Sequence, residues 1–84
     1  MIPYKIYLWK KAKNDFLKLP KEIQFRISEK LKIAQLDPFL YFIRLKGRQD
    51  YKMRVGDYRV ISDINQTERA IWITKIGHRR NVYK

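Results

Sequence analysis

Three basic side chains lie in a short segment, YKMRVGDYRV at residues 51–60, that otherwise has the pattern of a β-hairpin. Lys52, Arg54 and Arg59 alternate there with apolar residues, which is typical of two half-buried strands. Like charges that face each other across a sheet destabilise it. We therefore expect an anion from outside the chain to relieve their repulsion.

Few kinds of chemistry are open to such a cluster. The chain has no cysteine and a single histidine, so it lacks the ligands of a conventional zinc site, and we expect no metal and no cofactor. Lysine and arginine could bind a polyanion passively. They could also stabilise the phosphorane that forms when an RNA 2′-hydroxyl attacks the adjacent phosphate. A lysine among arginines can serve as the base for that attack, because neighbouring positive charge lowers the pKa of an ammonium group.

The composition favours a polyanionic partner. Twenty Lys+Arg against eight Asp+Glu give a formal net charge of +12 over 84 residues. Charge alone does not exclude an anionic membrane or an acidic protein as the partner.

The longest apolar run, FLYFI at 39–43, is too short to span a bilayer, and no signal peptide is recognisable. We expect one domain over residues 1–84, with a cytoplasmic location and no membrane association.

Before the hairpin, the chain predicts a strand and two helices. Residues 2–8 alternate like a first strand, with Pro3 near its start. Apolar residues then recur at three- and four-residue spacing, and Pro20 divides them into two helices before Asp37-Pro38 ends the second. The helical stripes are Trp9, Ala12, Phe16 and Leu19, then Ile23, Ile27, Leu31 and Ala34. Residues 39–50 are predicted to be irregular.

A two-residue turn at Gly56-Asp57 sets the pairing of the hairpin strands. Because paired residues share a face, Lys52, Arg54 and Arg59 are predicted to lie together on an exposed basic face. The opposite face turns towards the core. The predicted pairs are Val55 with Tyr58, Met53 with Val60, and Arg54 with Arg59.

A further strand, RAIWITKIG at 69–77, follows a turn near residues 65–68. Its alternation places Ile71 and Ile73 on the core face and Trp72 and Thr74 on the basic face. The predicted fold is α+β in the order β-α-α-β-β-β. A helical hairpin covers one face of a mostly antiparallel sheet, and the basic face lies on the other side.

The sequence resembles the RelE/ParE toxin superfamily, and the RelE branch in particular. The segments that carry the resemblance are LKG at 45–47, YKMRVGDYRVI at 51–61 and IGHRRNVY at 76–83. The resemblance covers nearly the whole chain. It implies a ribosome-dependent endoribonuclease that cuts mRNA in the ribosomal A site and is neutralised by an acidic antitoxin.

The resemblance also implies roles for five residues. Lys52 would be the general base, with Arg54 beside it as the second member of the basic pair. Arg59 would stabilise charge on the phosphate, and Arg79 would stabilise or protonate the leaving 5′-oxygen. Tyr83 would stack on a base of the codon.

Other basic residues have less defined roles. Lys46 and Arg48 are expected to contact RNA, and His78 and Arg80 are possible additional site residues, since some related toxins use a histidine near the C-terminus. Arg54 replaces a lysine found in some relatives and is a much poorer proton acceptor.

Two rival functions remain open at this point. One is a ParE-like toxin that poisons DNA gyrase by binding. The other is a non-catalytic basic module that binds nucleic acid.

Overall fold

The computed structural model describes residues 2–82, which form two helices packed on a five-stranded sheet. The predicted α+β class and helical hairpin are confirmed. The elements are β1 (Lys5–Leu8), α1 (Lys10–Leu17), α2 (Lys21–Ala34), a 3₁₀ turn (Pro38–Leu40), β2 (Ile43–Arg44), β3 (Tyr51–Val55), β4 (Tyr58–Asn65) and β5 (Ala70–His78).

The strands lie in the order β1-β5-β4-β3-β2. β1 is parallel to β5, and the other neighbours are antiparallel. The connection before β3 was predicted to be irregular, and this is wrong at Ile43 and Arg44, which pair with Lys52 and Tyr51 to form β2. Two residues are too few to show an alternating pattern, so this strand had no sequence signal.

Both helices bury an apolar stripe against the same face of the sheet. The stripe on α2 is the predicted one, with Ile27, Leu31 and Ala34 buried. Such burial stabilises the fold by about 1.5–3 kcal/mol for each large aliphatic side chain removed from water. The buried cluster includes Ala12, Ile27, Leu31, Ala34, Met53, Val55, Val60, Ile71, Ile73 and Ile76.

The ends of the helices are fixed by local chemistry. Pro20 lies at the N-cap of α2, where its missing N–H costs no hydrogen bond, and Glu22 lies near the positive end of the helix dipole. After the helix, the Gln35 side-chain amide donates to the Tyr4 carbonyl at 2.8 Å, and the Tyr4 N–H donates to the Gln35 carbonyl at 2.8 Å. These bonds tie α2 to the start of the sheet.

No helix within residues 2–82 is long and apolar enough to cross a membrane.

A β-bulge between β4 and β5 keeps the apolar residues of β5 in the core. Ser62 pairs with Ile73 while the preceding Ile61 pairs with Lys75, so Thr74 is the extra residue. Ile73 and Ile76 are therefore both buried although they are three positions apart, a spacing that would put them on opposite faces of a regular strand. The predicted faces of Ile71, Ile73 and Trp72 are confirmed, since both isoleucines are fully buried and Trp72 is exposed.

The turn between β3 and β4 depends on Gly56, whose φ is +58°. We expect Gly56→Val to lower the free energy of unfolding by about 1–2 kcal/mol, because L-residues are strained in the left-handed region. Asn tolerates this region better, so Gly56→Asn should lose less. Urea titration of the three proteins would measure the difference. Equal stability of the valine variant and the wild type would contradict this account of the turn.

Candidate nucleic-acid site

The β3–β4 hairpin has the predicted register. Arg54 pairs with Arg59, and Lys52 pairs with Ile61. Because Met53 and Val60 on the alternate positions are fully buried against the helices, the three basic residues lie on the opposite face of the sheet. The turn thus brings together side chains that repel one another.

Lys52, Arg54 and Arg59 line one concavity of about 280 Å³. Its other lining residues are Lys30 from α2, Tyr41 and Ile43. Four of the six carry a positive charge and none carries a negative one, so the concavity suits an anion. We call it the basic concavity.

Arg59 was predicted to lie on an exposed basic face, and the prediction of its exposure is wrong. It is only 8% exposed, because β4 is a central strand with β3 on one side and β5 on the other. Its Nη1 donates to the carbonyl oxygens of Gly56 and Tyr58, both at 2.9 Å. The guanidinium therefore holds the turn that positions it, while its Nε and Nη2 bond to no described residue.

Arg79 reaches the same turn from the end of β5. Its backbone N–H donates to the Asp57 carbonyl at 2.8 Å, and its Nε lies 3.8 Å from Asp57 Oδ1. Both side chains are at least half exposed, so this ion pair is screened by solvent. Arg79 thus lies beside the turn but does not line the basic concavity.

His78 lies on the other face of the sheet. It pairs with Tyr58, and the two rings meet edge to face with centroids 5.5 Å apart. Its Nδ1 accepts a hydrogen bond from the Arg80 N–H at 3.2 Å. Neither His78 nor the exposed Arg80 lines the basic concavity, and Tyr83 lies outside the described residues.

Lys46 and Arg48 lie in the loop between β2 and β3. They line a separate shallow depression, together with Arg44. The Arg48 guanidinium pairs with Asp50, and the Arg48 carbonyl accepts from Arg44 Nε at 3.3 Å. The structure does not bring these two residues into the basic concavity.

A second groove, of about 430 Å³, lies on the face of the sheet that carries the basic concavity. Its lining carries both signs of charge, with Asp50 and Asp63 beside Lys11, Arg48 and Lys75, so it suits a phosphate less well than a lining that is positive throughout. Trp72 lies nearby on this face, stacked on Tyr7 with centroids 4.5 Å apart, so much of its ring is already covered. We therefore take the basic concavity as the candidate site.

Sequence reasoning missed three members of the basic concavity: Ile43, in the short strand β2, and the two polar residues Lys30 and Tyr41. Lys30 lies on α2 beside the buried Leu31, and nothing in the helical pattern marks it. Tyr41 follows the 3₁₀ turn in a segment without periodicity. Only the packing of α2 across the sheet brings Lys30 and Tyr41 to β3.

Within residues 2–82, no three carboxylate or imidazole groups meet in an arrangement that could hold a metal ion.

Comparisons with known proteins identify relatives of this chain. Residues 6–83 match a family model described as the ParE toxin of the type II toxin–antitoxin system, parDE. No curated protein sequence gives a significant match.

Several solved structures share the fold. The RelBE2 toxin–antitoxin complex from Mycobacterium tuberculosis superposes with a TM-score of 0.84 at 23% identity, covering 93% of this chain and 100% of that one. The RelE–RelB complex from Pyrococcus horikoshii gives 0.79 at 29% identity, with 98% and 100% covered. A YoeB/ParE toxin from Agrobacterium tumefaciens gives 0.75 at 13% identity, with 88% and 96% covered.

The contrast between Arg59 and Arg54 leads to a stability prediction. Arg59→Ala should lower the free energy of unfolding by about 1–3 kcal/mol, because it removes two charge-assisted hydrogen bonds to the turn. The exposed Arg54 offers a matched control, and Arg54→Ala should change stability by less than about 0.5 kcal/mol. Thermal and urea unfolding would measure both. Equal stability of the two variants would show that the Arg59 bonds do not support the turn.

Proposed function

Since the chain belongs to the ParE toxin family of type II toxin–antitoxin systems, within the RelE/ParE superfamily, we propose that it is an endoribonuclease that cuts mRNA in the ribosomal A site. The observation that carries this proposal is the basic concavity, in which Lys52, Arg54 and Arg59 converge with no carboxylate in the lining. A phosphodiester is the anion that this arrangement would suit.

The proposed reaction is attack of a 2′-hydroxyl on its own 3′-phosphate. Lys52 acts as the general base that accepts the 2′-hydroxyl proton, and a bond forms between the 2′-oxygen and phosphorus. Arg54 and Arg59 stabilise the charge on the phosphorane. The bond to the 5′-oxygen then breaks, and Arg79 stabilises or protonates that oxygen. The products are a 2′,3′-cyclic phosphate and a 5′-hydroxyl.

Arg59 is suited to this role by its fixed position. Two of its contacts are already made to the turn, so little reorganisation accompanies charge development on a phosphate. Tyr83, which lies outside the described residues, is proposed to stack on a base of the codon.

The ribosome has a physical role in this proposal. The basic concavity is a small site, of about 280 Å³, on the surface of a small domain, and a small site has few contacts with which to align a nucleophile. A ribosome-bound mRNA has its backbone already fixed. We therefore propose that free RNA binds but is cut slowly, and that A-site mRNA is cut rapidly.

The matched family is named for ParE, and this favours one rival function, poisoning of DNA gyrase by binding. That function makes no use of a base and a leaving-group acid around a phosphate. The rival therefore predicts growth arrest without mRNA cleavage.

In vitro translation of a reporter mRNA, followed by primer extension to map new 5′ ends, separates these functions. We expect cuts in phase with codons that require ribosomes. Lys52→Ala should reduce their rate by about 10²–10⁴-fold, the usual effect of losing a general base. Lys13→Ala, an exposed residue of α1 outside the basic concavity, is the matched control and should cut normally. Growth arrest without any cuts would favour gyrase poisoning.

The proposed partner is an acidic antitoxin that binds beside the site. Phe25, Ile33 and Val55 line an apolar groove of about 460 Å³ between α2 and the β3–β4 turn. Three cations, Arg26, Lys30 and Arg54, and one carboxylate, Glu29, also line it, so its charge is positive on balance. Such a groove fits the apolar face of an amphipathic helix with acidic flanks. Because Lys30, Tyr41 and Arg54 line both the groove and the basic concavity, a bound helix would also hinder access to RNA.

Phe25→Ser tests this partner surface. Phe25 is 66% exposed, so the substitution should leave stability within about 0.5 kcal/mol of the wild type and leave mRNA cleavage unchanged. It should weaken capture of the protein encoded by the adjacent reading frame, mainly through faster dissociation. Copurification and surface plasmon resonance would measure this. Unchanged dissociation would place the antitoxin elsewhere.

A further inference from the structure

We propose that Lys30, on helix α2, is a phosphate-binding residue of the RNA site. Three observations support this assignment: the position of its ammonium group, the charges around it, and the lack of an anionic partner among residues 2–82. The inference rests on the proposed function for the nature of the ligand, an RNA phosphodiester.

The end of β2 explains the position of Lys30. β2 pairs only with Tyr51 and Lys52, so the outer edge of β3 is uncovered at Arg54. The Arg54 carbonyl at this edge accepts a hydrogen bond from Lys30 Nζ at 2.5 Å. Lys30 is half-buried, unlike most lysines of this chain. The Lys30 side chain is thus held at the wall of the basic concavity. Because it is already ordered in the free protein, binding of an anion costs less conformational entropy.

The charges around Lys30 favour an anion. It lines the basic concavity with Lys52, Arg54 and Arg59, and no carboxylate shares the lining. An ammonium group has three donors, of which the Arg54 carbonyl takes one. Lys30 forms no ion pair with any residue in the 2–82 range, whereas Lys32, two positions later, pairs with Glu29 at 3.0 Å. The two remaining donors of Lys30 are therefore available to a phosphate oxygen.

A lysine bound to phosphate recognises charge but not base identity. Loss of Lys30 should therefore weaken RNA binding by the same factor for every sequence. It should also reduce the number of counterions released on binding, which salt dependence measures directly.

The test is a salt titration of RNA binding with Lys30→Met, which removes the charge and keeps the apolar stem. The probe is a short single-stranded RNA carrying 2′-O-methyl groups, which binds but cannot be cleaved, and fluorescence anisotropy gives its affinity between about 50 and 200 mM salt. We expect the log–log slope to be smaller than that of the wild type by roughly 0.7, the value for one phosphate contact on a single strand.

Three further variants define the result. Lys32→Met removes one charge from the same helix outside the concavity and should keep the wild-type slope. Lys30→Arg retains charge and a donor for the Arg54 carbonyl and should also keep it. Lys30→Gln retains a donor without charge, so it should show the reduced slope even if Lys30→Met is too unstable to measure.

A wild-type slope in both Lys30→Met and Lys30→Gln would overturn the proposal. An equal loss in Lys32→Met would overturn it too, because binding would then depend on total charge. This outcome is independent of catalysis. If the wild type cuts no mRNA but the Lys30 effect holds, the proposed reaction fails and the phosphate site stands. If mRNA is cut and the slopes are equal, only the role of Lys30 fails.

Discussion

The two-residue turn at Gly56-Asp57 is the constraint on which the candidate site depends. Because it admits only one register, it places Arg54 opposite Arg59 and puts Lys52 on the same face. A one-residue slip would send these cations into the apolar core and the core residues into solvent. Carbonyl groups in and next to this turn accept hydrogen bonds from the Arg59 guanidinium, and the Asp57 carbonyl accepts one from the Arg79 backbone N–H.

The fold tolerates this cluster of like charges in part by giving two of its cations neutral partners. Backbone carbonyl dipoles, not carboxylates, hold Arg59 and Lys30. A carbonyl lowers the energy of a nearby cation but leaves its net charge intact. The site is thus ordered and still strongly attractive to an anion, whereas carboxylate partners would have stabilised the cluster and neutralised it.

The sequence was sufficient to predict the parts that local patterns determine. The hairpin register followed from Gly-Asp between alternating residues, and the α2 stripe followed from helical spacing. The burial of Arg59 was not predictable in the same way, because it requires β5 to pair on the far side of β4, and a strand pattern does not reveal its neighbours. Lys30 was missed for a related reason. Its role arises where β2 happens to end, and a two-residue strand has no pattern of its own.

The parallel pairing of β1 with β5 joins segments that are far apart in the chain. Lys5 pairs with Ala70, and Arg69 donates to the Ile2 carbonyl and lies over the Tyr4 ring at 4.6 Å. Contacts of such long sequence separation form late, since the loop between them must close first. A nascent chain therefore cannot seat its first strand until residues 70–73 have been synthesised. The central position of β4, and with it the burial of Arg59, is likewise established only once β5 has been synthesised and has paired with β4, so Arg59 stays uncovered on an incomplete sheet until then.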